Sequence, residues 1–128
     1  MSKAAVAGVV LDAGAFIAVE RRSFAAAHRL KLLLARGAPL VTSAGVVAQV
    51  WRGGASQAPI AFLLRRSQVV DLTGDTARLL GRMLAATGQS DPIDAHVVHL
   101  ARERDWTVLT SDPDDLRALD ATIRLELV

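Results

Sequence analysis

Apolar and polar positions along this chain fall into blocks whose period switches between strand and helix. Residues 6–11 form an unbroken apolar run that stops at Asp12, the pattern of a central strand buried on both faces. Residues 13–20 then turn helical, and residues 24–36 keep helical spacing until Gly37 and Pro39 end it. Leu40 and Val41 predict a short second strand. Thr42 and Ser43 offer an N-cap for a helix over 44–52, closed by Gly53 and Gly54. Residues 56–67 predict a helix with Arg65 and Arg66 near its negative carboxyl end, and residues 69–72 a strand. Thr73 is placed to cap a helix over 75–87 that Gly88 stops. Asp91 followed by Pro92 opens the next, which runs to about Arg104. A strand over 107–110, a short helix over 113–119 and a last strand over 123–127 complete the reading. No repeat, low-complexity tract or linker interrupts it, so residues 1–128 are expected to form one domain.

Strands alternating with helices imply a parallel sheet covered on both faces, an α/β fold whose function gathers beyond the carboxyl ends of the strands. The acids follow that rule. Asp12 directly follows the first strand; Asp112, Asp114 and Asp115 follow the strand ending at Thr110; Asp91 and Asp94 sit in the first turn of the preceding helix. Carboxylates converging on one sheet edge repel one another unless a cation holds them. Mg²⁺, or Mn²⁺, is the natural choice, because hard cations take oxygen ligands. Local roles compete with this reading at each position. Asp91 is equally an N-cap, Asp94 the partner that completes a capping box, Asp112 a simple opening of the helix at Pro113, and Asp114 a solvated first-turn acid.

Composition narrows the classes further. With 52% apolar and 22% charged residues the chain is expected to be compact rather than disordered. It has no cysteine, which excludes disulfides, zinc–thiolate sites and thiol nucleophiles and permits a reducing cytoplasm, the expected location. The apolar start faintly resembles a leader, but the run is short and reads better as the first strand. No uncharged stretch is long enough to span a bilayer. The net charge of +2 hides an asymmetry: residues 1–70 hold nine Lys/Arg against two acids, residues 71–128 six against eleven. Such segregation suits a polyanion on one side and a cation on the other; ordinary solvated helix faces would look the same.

Three segments together resemble a family. Val-Leu-Asp-Ala-Gly-Ala-Phe-Ile-Ala at 10–18, Asp-Pro-Ile-Asp-Ala-His-Val-Val at 91–98 and Leu-Thr-Ser-Asp-Pro-Asp-Asp-Leu at 109–116 are similar, in order and spacing, to the acidic motifs of PIN domains, in particular the VapC toxins of toxin–antitoxin pairs. The resemblance spans essentially the whole chain. It implies a three-layer α/β/α sandwich with a central parallel sheet, a homodimer, Mg²⁺-dependent hydrolysis of RNA (tRNA or another structured RNA) and neutralisation by a cognate VapB-type antitoxin. Position by position it assigns the first acid to Asp12, the third to Asp94, and the fourth and an occasional fifth to Asp112 and Asp115. Asp91 is one helical turn from Asp94, and Thr110 and Ser111 stand where small hydroxylated residues line the site. The catalytic set is thus Asp12, Asp94 and Asp112, and the metal set adds Asp115.

One position departs from the pattern. The second acid of the family is usually Glu, and here Gln49 stands there. Glutamine offers a neutral carbonyl oxygen to a metal or its water but neither charge nor a base. Two functional readings follow: an active metal-dependent ribonuclease, or a catalytically weak module that binds RNA or antitoxin.

Arg52 is a candidate RNA-phosphate ligand, with pairing to the acids as the competing role. Arg21, Arg22, Lys31 and Arg36 are candidates for an RNA track, solvated helix cations being the plainer reading. Trp51 reads as a core or interface residue, and His96 and His99 as partly exposed helix positions. A phosphoacceptor receiver domain also clusters aspartates, but it needs a lysine after a late strand, and the lysines here are Lys3 and Lys31.

Overall fold

A computed structural model describes residues 6–128. Lys3 and the first residues of the leader-like run lie outside the described residues. Five short strands pair in parallel: β1 (Val9–Leu11), β2 (Leu40–Ser43), β3 (Ser67–Val70), β4 (Thr107–Thr110) and β5 (Leu125–Leu127), in the order β3-β2-β1-β4-β5. The central strands are largely apolar because both of their faces are covered, with buried hydroxyls only toward their carboxyl ends at Thr42, Ser43 and Thr110. Val9, Val10, Leu11, Leu40, Val41, Val108 and Leu109 are all buried.

Helix α1 (Ala13–Glu20) is packed by α2 (Phe24–Ala35), α3 (Ala44–Val50) and α4 (Ala58–Arg65), the last preceded by a 3₁₀ turn at Ala55–Gln57. Helices α5 (Gly74–Thr87), α6 (Pro92–Arg104) and α7 (Pro113–Leu119) pack on one another as a second group. The expected α/β sandwich around a parallel sheet is the architecture observed.

Topology positions the site. The chain moves from β1 outward to β2 and β3, then returns with β4 on the other flank of β1, where Leu11 is in register with Leu109. The reversal creates a switch point between the carboxyl ends of β1 and β4, the place where α/β sheets open a crevice. Asp12 and Ser111 are the first residues beyond those ends.

Several boundaries differ from the sequence reading. The first strand begins at Val9, where Leu40 and Thr107 offer ladder partners; Val6 and Ala7 lie beyond the ladder and are exposed. The strand expected at 69–72 occupies Ser67–Val70, because β2 aligns Leu40 with Ser67. The helix expected over 44–52 stops at Val50, with Trp51 already extended. The last strand starts at Leu125 rather than 123, β4 pairing with it from Val108 onward. His96, expected to be partly exposed, is fully buried, because α6 is wedged between the sheet and its neighbouring helices. Among the described residues no helix is long and apolar enough to cross a membrane.

Candidate metal centre

The turn from β1 into α1 is made by Asp12. Its Oδ1 accepts the Gly14 N–H at 2.6 Å, an N-cap bond, and its backbone N–H donates to Leu109 O across the sheet. Position 14 must lack a Cβ, which would run into Ser111. That close approach seats α1 against the β4–α7 turn. Thr110, buried at the end of β4, donates its hydroxyl to Asp12 Oδ2 at 2.7 Å and accepts the Asp112 N–H at 2.9 Å. One threonine thus links two of the predicted acids.

From the second helix group, Asp91 caps α6 by accepting the N–H groups of Ile93 at 2.9 Å and Asp94 at 3.2 Å. The capping role is real, and it leaves Asp91 Oδ2 outside the cap. Asp112 differs: it stands at the N-cap position of α7 but makes no side-chain cap bond.

All these groups face one cleft of about 260 Å³, lined by Asp12, Gln49, Asp91, Asp94, Asp112 and Asp115 together with Ala13, Gly14, Ile17 and Ser111. A second hollow of about 170 Å³ adjoins it and shares Asp91, Asp94 and Asp115. Asp114 lines neither and is exposed, 4.0 Å from Arg117.

The electrostatics are one-sided. Burial raises the Asp12 carboxyl above its ordinary value against the Thr110 and Gly14 bonds, and the charges of Asp112 and Asp91 add to the rise. Asp94 is pushed up to about 7, first by burial and then by Asp91, Asp12, Asp115 and Asp112. Asp115 is raised chiefly by its hydrogen bond with Asp112 and by that neighbour's charge. Among the described residues no Lys or Arg lines the cleft. The donor set suits a hard cation in kind, being carboxylate oxygen with one amide and no histidine. Among the described residues, however, no three acidic or imidazole groups are drawn together into a ready-made ligand set. The acids share a cleft, and of the five only Asp12 and Asp91 are held by N–H or hydroxyl donors of the protein.

Arg52 stands apart from this cleft. Its Nη1 donates to Ala48 O and Trp51 O, closing the end of α3, and no ion pair joins it to the acids. Trp51 is 41% exposed, so it is not a core residue. Two buried polar groups had no signal in the sequence. His96 Nδ1 bonds Ser43 Oγ at 2.7 Å, while Ser43 also caps α3 through the Gly45 N–H; burial lowers the imidazole pKa. Gln57, 6% exposed, uses both ends of its amide within the fold.

A family model described as PIN domain matches residues 9–121. The chain belongs to the PIN domain family. The match spans β1 through α7 and so includes every acid of the cleft. No curated protein matches the chain. Among solved structures, VapBC2 from Rickettsia felis, bound to a DNA fragment from their promoter, aligns with TM-score 0.69 at 17% identity, covering 94% of this chain and 98% of that one. FitAB bound to the IR36 DNA fragment aligns with TM-score 0.65 at 15% identity, covering 93% and 94%. PAE2754 from Pyrobaculum aerophilum aligns with TM-score 0.63 at 17% identity, covering 92% and 89%. At these identities the likeness is one of fold.

Proposed function

We propose that this PIN chain, acting as one domain over residues 1–128, is a metal-dependent ribonuclease of the VapC type. The observation that carries the reading is the cleft of uncompensated carboxylates at the β1–β4 switch point. Asp12, Asp94 and Asp112 would hold Mg²⁺ or Mn²⁺, with Asp115 as a further ligand and Asp91 and Gln49 at its margin. A bound divalent cation supplies a water of lowered pKa and charge neutralisation for a phosphate. The chain's own residues do the positioning. Thr110 orients Asp12 Oδ2 and the Asp112 backbone together, and the Gly14 N–H holds Asp12 Oδ1. Asp94, with its raised pKa, can keep a proton while the cleft is empty and release it as a cation arrives.

A second reading rests on a specific residue. Gln49 lines the cleft where the family pattern has Glu, so the ligand set is one charge short. In that reading the chain binds RNA or its antitoxin and cuts weakly.

An antitoxin partner is supported by the folds of the VapBC2 and FitAB toxins and by an apolar groove of about 440 Å³ between α1, α2 and α4. Val19, Leu30, Leu34, Phe62 and Leu63 line it. An amphipathic antitoxin segment would lie there. Homodimerisation and a cytoplasmic location complete the proposal; sedimentation tests the first and fractionation the second.

The deciding experiment incubates purified protein with a tRNA and mRNA pool in Mg²⁺, Mn²⁺ or EDTA, with Asp94→Asn as control. Specific fragments that require metal and vanish in the variant support the nuclease. Intact RNA with folded, metal-supplied protein favours the weak module.

A further inference from the structure

The seven-residue helix α3 is too short to hold its shape alone, yet it carries Gln49 into the cleft. Buried side chains hold it at both ends. Past its last turn, Gln57 Nε2 donates to Val50 O at 2.8 Å and to Glu20 Oε2 at 3.0 Å, while Gln57 Oε1 accepts the N–H groups of Arg52 and Gly53. At its start, Ser43 Oγ accepts the Gly45 N–H at 3.0 Å and lies 2.7 Å from His96 Nδ1. Ser43 and His96 are each 1% exposed, so bulk water cannot substitute for either partner.

The direction of that bond follows from counting protons. Ser43 Oγ already accepts from Gly45, and its own proton needs an acceptor. Among the described residues, His96 Nδ1 is the acceptor that meets it. The hydroxyl therefore donates to Nδ1, and the imidazole is neutral with its proton on Nε2. A reversed bond would leave a buried hydroxyl proton unpaired, which the interior penalises.

The bond joins two elements that both reach the cleft. Ser43 opens α3, which carries Gln49, and His96 stands in α6 two residues after Asp94; Gln49 and Asp94 both line the cleft. The helices also meet closely beside the bond. A Cβ on Gly45 would stand 2.9 Å from Ile93 Cγ1, and Ile93 immediately precedes Asp94. One buried hydrogen bond and one glycine contact thus lock the first turns of α3 and α6 together. His96 itself does not line the cleft, so its influence there runs through Ser43 and α3.

We propose that His96 is a positioning residue for position 49: through Ser43 it fixes α3 against α6 and so sets where the Gln49 amide stands relative to Asp94. What it contributes is a fixed acceptor. Asparagine can imitate it, because Asn Oδ1 and His Nδ1 are the same number of bonds from Cα. What this does for a cation rests on the metal-centre reading; what it does for α3 does not.

The first test is amide hydrogen exchange on metal-free protein. His96→Leu, which keeps bulk and removes the acceptor, should speed exchange of amides 47–50 by at least about tenfold, beyond any change at β1 and β4. His96→Asn should restore most of the protection, and Leu33→Val, a core change in α2, should not single out α3. Nitrogen-15 spectra of the parent imidazole need no variant: Nε2 should carry the proton. That spectrum decides even if His96→Leu fails to fold. A proton on Nδ1, or amides 47–50 within about twofold of the parent in folded His96→Leu, overturns the proposal. The second test is Mn²⁺ calorimetry in a double-mutant cycle. The gain of about tenfold expected from Gln49→Glu should shrink below about twofold beside His96→Leu and return beside His96→Asn or Leu33→Val. Equal gains in every background overturn the positioning role. No Mn²⁺ binding by any variant, with α3 exchange altered as expected, defeats the metal-centre reading alone and leaves the hold of His96 on α3 supported.

Discussion

Two polar clefts open at opposite ends of the same sheet, and they handle charge in opposite ways. The larger, about 580 Å³, lies where β4 and β5 begin. Its charges are paired: Arg102 lies 3.5 Å from Asp120 and Arg124 3.1 Å from Asp105. Asp120 also accepts from the Thr122 N–H and hydroxyl, bonds that hold its carboxyl below the ordinary range. The smaller cleft, where β1 and β4 end, holds five aspartates and, among the described residues, no cation side chain. Size therefore does not mark the site. A cleft that neutralises itself needs no ligand, whereas uncompensated carboxylates raise one another's pKa and leave a charge for a ligand to supply.

The largest test of this contrast is a pair of substitutions. Asp12→Asn, which keeps an oxygen for the Gly14 N–H, should reduce metal-dependent RNA cleavage by about a thousandfold or more with the fold intact. Asp120→Asn at the other end should leave cleavage unchanged. Equal losses, read by fragment yield per unit time, would erase the distinction between the clefts.

Restoring the missing charge should sharpen it. Gln49→Glu is expected to tighten Mn²⁺ binding about tenfold, measured calorimetrically, and to raise cleavage in step. Unchanged affinity would mean that position 49 contributes nothing to the cation site.

Acidity should act on the two ends with opposite sign. The folded pKa of Asp94 is about 7, above its ordinary 3.8, so the folded state binds that proton more tightly. Its contribution favours folding at low pH and is lost as pH rises through about 7. Asp120 has a lowered folded pKa; its contribution is present above the ordinary carboxylate value and is lost as pH falls through the folded one. In metal-free protein, Asp94→Asn should raise Tm by about a few degrees at pH 8 and do little near pH 4. Added Mg²⁺ should give the parent the same benefit at pH 8. A Tm difference independent of pH would refute the assignment.

The smallest effect belongs to the self-neutralised cleft. Arg102→Ala removes a half-exposed ion pair and should cost no more than about 1 kcal/mol, a small shift in a urea midpoint.

Much of this was legible in the residues, for local reasons. Pro92 after Asp91, Pro113 after Asp112 and Gly88 after Thr87 punctuate helices through backbone chemistry that acts within a few residues, and these boundaries agree with the structure. The apolar run ending at Asp12 announced a buried central strand, and β4 was read over the residues it occupies. Where the reading slipped, at Val6, at residues 69–72 and at 123, the edge was set by a neighbouring strand, which no local pattern encodes.

The sequence by itself thus determined the α/β class, the alternation of elements and the placement of Asp12, Asp94 and Asp112 just beyond strands or at a helix start. All of these follow from periodicity and caps. Only the tertiary structure decided which acids meet. The return of β4 to the flank of β1 brings Thr110 to Asp12 across 98 positions of chain, admits Asp115 to the cleft and leaves Asp114 outside. The same packing buried His96 against Ser43 and turned Gln57 into a four-way tie. Hydrogen bonds between distant residues depend on strand order and helix contact, and a single chain read in line carries neither.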